Sequence, residues 1–249
     1  MNIYYLYNSG FTIEAGEDAL IIDYYRGSLG KPWRMPLGRE PSGYRNIHVF
    51  ASHVHGDHYN RVIFDWLSER PDIHYILSDD VSSAVPKAVA KGGGSHRLTF
   101  LGDGSHVRAG SLDIRAFGST DAGISFHIVT GDGARIFHAG DLNYWHWQDE
   151  STPDEIAEAY AMYAKEINKI QNGVGALDVA FFPVDPRMGS DYYRGAVMFC
   201  EAMKPKVLVP MHFSSVFSPP PAFYKEVSPF TKIARPGPGA GRVDISNLP

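Results

Sequence analysis

Short apolar runs broken by turn-formers open the chain and predict sheet before any helix. Residues 2–24 read as a β-meander, with turns at Asn8-Ser9-Gly10 and Glu14-Ala15-Gly16-Glu17 and a final run Ala19-Leu20-Ile21-Ile22-Asp23. Residues 26–45 are rich in Gly, Pro and Arg without a hydrophobic period, so a long loop is expected there, as a lid or rim. A buried strand over 47–52, a His-rich turn, a helix over about 60–69, a strand over 73–77 and a short helix near 81–90 follow in βαβ-like alternation. Strands return over 96–101, 106–109, 112–117, 123–130 and 134–138, with Gly131-Asp132-Gly133 as a hairpin turn. A helix over 153–172, a strand over 177–184, a helix over 191–203, a strand over 207–210 and a last helix and strand complete the pattern. Two blocks, each of strands followed by helices, predict an α/β fold of four layers, an αββα sandwich. No linker-like stretch divides the chain, so one domain over 1–249 is expected.

Composition narrows the chemistry. With 249 residues, 44% of them hydrophobic, the chain can bury one large core. A formal charge of −5 and a pI near 6.1 give no basic face for a nucleic acid, so a small-molecule substrate is expected instead. The single Cys200 excludes an internal disulfide and a cysteine-built zinc site, which leaves imidazole and carboxylate as metal donors and points to a reducing, cytoplasmic setting. The first ten residues lack the basic flank and apolar run of a signal peptide, and no stretch reaches the ~20 apolar residues of a membrane span.

The densest chemical signal is Ser52-His53-Val54-His55-Gly56-Asp57-His58, an H-x-H-x-D-H cluster directly after an apolar strand. Such a turn can present His53 and His55 to one ion and Asp57 and His58 to a second, and its donors suit zinc, iron or manganese. A solvated, charged turn is the plainer reading, but a buried strand feeding into it makes that use wasteful. Asp141 follows an apolar strand and Gly140, whose small size allows tight backbone approach, so its carboxylate can bridge two cations; alone it would read as a turn or cap residue. His212 follows Val207-Leu208-Val209, where a lone histidine would usually be a satisfied core side chain.

Together these residues resemble the metallo-β-lactamase superfamily, whose hallmark is the H-x-H-x-D-H turn. The resemblance extends to Asp23 closing an early strand, to His138-Ala139-Gly140-Asp141 and to Val209-Pro210-Met211-His212-Phe213, in the family's order over nearly the whole chain. It implies the αββα fold, a metal centre on His53, His55, Asp57, His58, Asp141 and His212, and hydrolysis by a metal-activated water. It also implies that Asp23 braces the metal loop through hydrogen bonds. One departure stands out: where most members carry a third histidine for the first metal, this chain has Gly118-Ser119-Thr120-Asp121-Ala122-Gly123. Either Asp121 substitutes as a carboxylate ligand, or it is a turn residue and the first site is weak or empty. His127, further along, reads as a residue on a strand face.

The aromatic run Leu142-Asn143-Tyr144-Trp145-His146-Trp147 suggests a pocket wall, with Tyr144 or His146 as proton donor or replacement ligand and Trp145 and Trp147 equally suited to the core. Asp57 is expected to orient the attacking water or accept its proton. Arg187, in Val184-Asp185-Pro186-Arg187, either engages an anionic substrate group or pairs with Asp185. Within the family the chain looks similar to the branch of ascorbate-6-phosphate lactonase-like proteins and N-acyl phosphatidylethanolamine phosphodiesterases, which implies an ester, lactone or phosphodiester substrate. Three rivals are an iron-containing oxidoreductase, for which no residues remain to build a flavodoxin-like partner, a nuclease, which the acidic charge disfavours, and a non-catalytic metal-binding scaffold.

Overall fold

The computed structural model describes residues 1–26, 35–92, 96–213, 219–236, 241–243 and 245. Of the long loop expected over 26–45 as a candidate lid, residues 27–34 lie outside the described residues.

Two seven-stranded sheets pack face to face. The first contains β1 (Asn2–Tyr7), β2 (Gly10–Ala15), β3 (Asp18–Ile22), β4 (Asn46–Ala51), β5 (His74–Ser78) and β6 (Arg97–Leu101), with the short β14 (Gly241–Val243) beside β1. The second runs from β7 (His106–Ala109) through β8 (Leu112–Gly118), β9 (Ile124–Val129), β10 (Arg135–His138), β11 (Val179–Pro183) and β12 (Val207–Met211) to β13 (Lys232–Ile233). Each sheet begins antiparallel and turns parallel. β1 to β3 and β7 to β10 form meanders, whereas β3 to β6 and β10 to β13 pair in parallel.

The period-2 pattern of the strands explains the layering. Ile3, Phe11, Ile13, Leu20, Ile22, Phe50 and Ile76 of the first sheet share one cluster with Ile114, Phe126 and Ile128 of the second. Their alternates Ala19, Ile21, Val49, Ala51, Tyr75 and Leu77 face outward and are covered by Ile63, Phe64 and Trp66. On the far side α2 (Pro153–Gly173) buries Tyr163, Ile167 and Ile170, a stripe at helical spacing, and starts at a capping box between Thr152 and Glu155. α3 (Arg194–Met203) packs beside it and buries Cys200.

The expected four layers are present, but the first outer layer is built differently from its pattern. Residues expected as a helix over 60–69 form 3₁₀ turns over Arg61–Ser68, opened by Asn60, whose side chain accepts from the Val62 N–H at 3.0 Å. The segment near 81–90 is split by Pro86 into 3₁₀ turns over Asp79–Ala84 and one turn of α1 (Lys87–Ala90), since proline disfavours helical backbone at the residue before it. His127 lies buried in β9, apart from the histidine cluster.

Because β3, β4, β10, β11 and β12 run parallel within their sheets, their C-terminal ends deliver the polar residues that follow them to one edge of the sandwich. That edge is where α/β folds place ligands.

Candidate metal centre

His53, His58, Asp141 and His212 meet at this edge. Asp141 offers one oxygen to each half of the cluster: Oδ2 lies 3.3 Å from His53 Nε2, while Oδ1 lies 2.9 Å from His58 Nε2 and 3.4 Å from His212 Nε2. Asp57 Oδ2 completes the second group, 3.8 Å from His58 Nε2 and 3.6 Å from His212 Nε2. His55, Asp121 and Asp141 form a further group on the more exposed side. All seven residues singled out in the sequence as ligands are therefore brought together, Asp121 included.

The environment fits a cation. His53 Nε2, His58 Nε2, His212 Nε2 and Asp141 Oδ1 are buried and none has an aligned hydrogen-bond partner among the described residues. Leaving such atoms unsatisfied costs about 1–3 kcal/mol each. Donors 2.0–2.2 Å from a tetrahedral ion sit roughly 3.3–3.6 Å apart, and the observed spacings bracket that value. The donor set is nitrogen and oxygen only, as the lone buried Cys200 requires.

Two carboxylates orient the histidines from behind. Asp23 is fully buried and accepts from Ser52 N and Ser52 Oγ at 2.7 Å each, and from His58 Nδ1 at 2.8 Å. Asp185 accepts from His212 Nδ1 at 2.9 Å. Each bond fixes the imidazole so that Nε2 faces the cluster. Burial alone would depress His58 and His212. The close carboxylates of Asp141 and Asp23 instead raise His58 to about 10, and those of Asp185, Asp57 and Asp141 raise His212 to about 9. The acids respond in the opposite sense: the approach of His212 draws Asp57 down to about 2, and Asp141 falls well below the usual carboxylate range despite its burial, through His53 and His58.

Backbone geometry packs the loops closely. Gly140 has φ +55°, and a Cβ there would sit 2.7 Å from the Ile124 carbonyl and 2.9 Å from Ser52 Cβ. Only glycine allows the Asp141 loop this near to the histidine turn. Asn8, Asp23 and His212 also have left-handed φ values of 53°, 48° and 63°. Asn8 links two parts of the cluster: its Nδ2 donates to Asp57 Oδ2 at 3.1 Å, and its carbonyl accepts from His212 N at 3.1 Å.

The aromatic run after Asp141 divides into two buried and two cavity-lining residues. Tyr144 and His146 are buried and stack on each other at 4.0 Å; the Tyr144 hydroxyl donates to the Ile156 carbonyl, and His146 Nδ1 pairs with the Tyr144 carbonyl. Neither lines the cavity above the cluster, so the proton-donor and replacement-ligand roles expected of them do not fit their positions. Trp145 and Trp147 line it instead, together with Thr120, Arg187 and Met188. Asn8 and the bracing role of Asp185 escaped sequence reading. A carboxylate closing strand β11 in Pro-Val-Asp-Pro, parallel to Asp23 closing β3, was the available signal.

No family model matches the chain. It is 27% identical over 226 residues to a UPF0173 metal-dependent hydrolase of Symbiobacterium thermophilum, covering 86% of this chain and 85% of the relative. Among solved structures, the metallo hydrolase Igni18 of Ignicoccus hospitalis superposes with a TM-score of 0.64 at 18% identity, covering 99% of this chain and all of its own. The metallo-β-lactamase fold protein YhfI of Bacillus subtilis gives a TM-score of 0.59 at 11% identity over 95% of this chain and 91% of its own. The chain has the metallo-β-lactamase fold, and the resemblance drawn from its motifs agrees with both kinds of relative.

Proposed function

We propose that the chain is a metal-dependent hydrolase with two metal positions sharing Asp141, acting on an ester, lactone or phosphodiester bond of a small molecule. The observation that carries the reading is the split of the Asp141 carboxylate, Oδ2 toward His53 and Oδ1 toward His58 and His212. On this reading His53, His55 and Asp121 hold the first ion with Asp141, and Asp57, His58 and His212 hold the second. Zinc suits the donors best, and the carboxylate in place of a third histidine also accommodates iron or manganese. Bound divalent ions would supply a nucleophilic water at neutral pH and polarise the bond it attacks.

The protein's own groups do the rest. Asp57 is half-buried and stands beside His58 and His212, so on this reading its carboxylate accepts a hydrogen bond from the attacking water and orients it. Asn8 Nδ2 fixes that carboxylate. Asp23 and Asp185 keep His58 and His212 in the tautomer that presents Nε2. With Tyr144 and His146 outside the cavity, the leaving group takes its proton from solvent.

The test is His58→Ala and His212→Ala, assayed for metal content and for turnover on an ester, lactone and phosphodiester panel. Both variants should lose about one equivalent of metal and nearly all activity together. Full metal content in either would refute the second site.

A further inference from the structure

The cavity over the cluster encloses about 540 Å³, and among the described residues that line it Arg187 is the one Lys or Arg, set against Asp57, Asp121, Asp141 and Asp185. Its guanidinium is firmly placed. Nε donates to both Asp185 oxygens at 2.9 Å, and Nη2 donates to Asp185 Oδ2 at 2.5 Å. These bonds use one edge of the planar group. The other edge, formed by Nη1 and the second Nη2 proton, meets no carboxylate among the described residues, its contact being the His212 ring nitrogen that itself donates to Asp185, and the side chain is 65% exposed. Two parallel N–H groups on a rigid plane match an oxyanion in bidentate fashion. Nη2 also lies 3.5 Å from His212 Nδ1, so an anion on this fork would sit beside the metal ligands.

A flat wall stands next to it. Trp145 Nε1 donates to the Asp141 carbonyl at 2.7 Å and its ring meets His212 edge-on at 5.6 Å, which fixes the indole against the cluster. Trp147 stacks on Trp145 at 6.3 Å and 22°, and is 42% exposed. Two stacked indoles lining the same cavity as Arg187 form a platform for a planar group with one anionic end.

We infer that Arg187 and the Trp145–Trp147 wall form a substrate subsite for a planar organic group carrying a carboxylate or phosphate, held end-on by Arg187 with the scissile bond over Asp141. The inference rests on the metal-hydrolase reading and sharpens its substrate class. Asp185 offsets the charge of Arg187 but occupies only one edge of the guanidinium, so the second edge keeps N–H donors for an anion. Four carboxylates in the cavity repel an anion until divalent ions are bound, so the subsite works only in the loaded protein.

The test compares zinc-loaded wild type, Arg187→Met and Arg187→Lys on 4-acetoxybenzoate and its neutral analogue 4-acetoxybenzamide. Wild type should prefer the carboxylate. The preference, as a ratio of kcat/KM values, should fall tenfold or more in Arg187→Met through KM and recover partly in Arg187→Lys. Calorimetric titration with 4-hydroxybenzoate and 4-hydroxybenzamide reads the same ratio without turnover, so a protein that binds selectively but hydrolyses neither these esters nor any member of the ester, lactone and phosphodiester panel refutes the hydrolase reading and keeps the subsite. Phenyl phosphate as competitor separates the two anions: tighter inhibition than by benzoate assigns phosphate. An unchanged ratio in Arg187→Met overturns the inference. So does a loss of bound zinc with equal damage to both substrates, which would make Arg187 a brace for Asp185 only.

Discussion

Replacing Asp185 by asparagine removes one negative charge from behind His212 while keeping its shape. The Oδ2 contact at 2.9 Å to His212 Nδ1 is a charge-assisted bond that makes Nε2 a stronger donor, and loss of such partners weakens metal binding about 10–100-fold, or roughly 1.4–2.7 kcal/mol. The same carboxylate also strengthens the proton that competes with the metal. It is the first of three contacts that outweigh burial and hold His212 at about 9 in the metal-free protein. At pH 7 an imidazolium so raised opposes metal binding, and Asp185→Asn relieves part of this opposition. The two effects oppose each other at pH 7 and separate in part at pH 9, where about half of that proton is already lost. Competition with a chromophoric zinc chelator at both pH values measures the difference. The expected result is a loss of affinity larger at pH 9 than at pH 7. Affinity within twofold of wild type at both would show that the carboxylate does not orient the ligand.

Asp121→Ala should release one equivalent of metal and retain the other, and Asp121→His should tighten zinc; unchanged stoichiometry by elemental analysis would make Asp121 a turn residue. In the metal-free protein His58 and His212 are raised above the ordinary histidine value of about 6.5, so their stabilisation is full below that pH and is lost as pH rises through 9 to 10. The urea midpoint of chelator-treated protein should therefore fall between pH 7 and 10, more steeply than that of zinc-loaded protein, and equal slopes would contradict this.

The metal turn was legible because four donors fall within one short segment after an apolar run, and Asp141 and His212 because each follows a strand that had to be buried. Asp121 was legible only as an alternative, since a turn aspartate and a ligand look the same in sequence, whereas its place beside His55 and Asp141 depends on the fold. Asn8 and Asp185 act across large sequence separations through turns whose direction no local pattern encodes. The run 144–147 shows a sharper limit. Burial alternates along the run, and its phase is not encoded in the sequence, so the pocket-wall reading holds for Trp145 and Trp147 while Tyr144 and His146 turn inward. The helix expected over 60–69 carried the right apolar positions, Ile63, Phe64 and Trp66, but those positions fit 3₁₀ turns as readily as an α-helix.

The donors of the proposed centre come from both sheets: the histidine turn extends β4, and Asp141 and His212 extend β10 and β12. An ion held by both is a cross-link as much as a reagent. It ties together segments far apart in the chain at an edge where few apolar side chains do so, as a disulfide would in a protein able to form one. Chelation should free this edge first, exposing the amide of Ile124, whose bond to the Ser52 carbonyl crosses the seam, to exchange with solvent. The rate at which the two sheets part is then governed by the occupancy of a site a few ångströms wide.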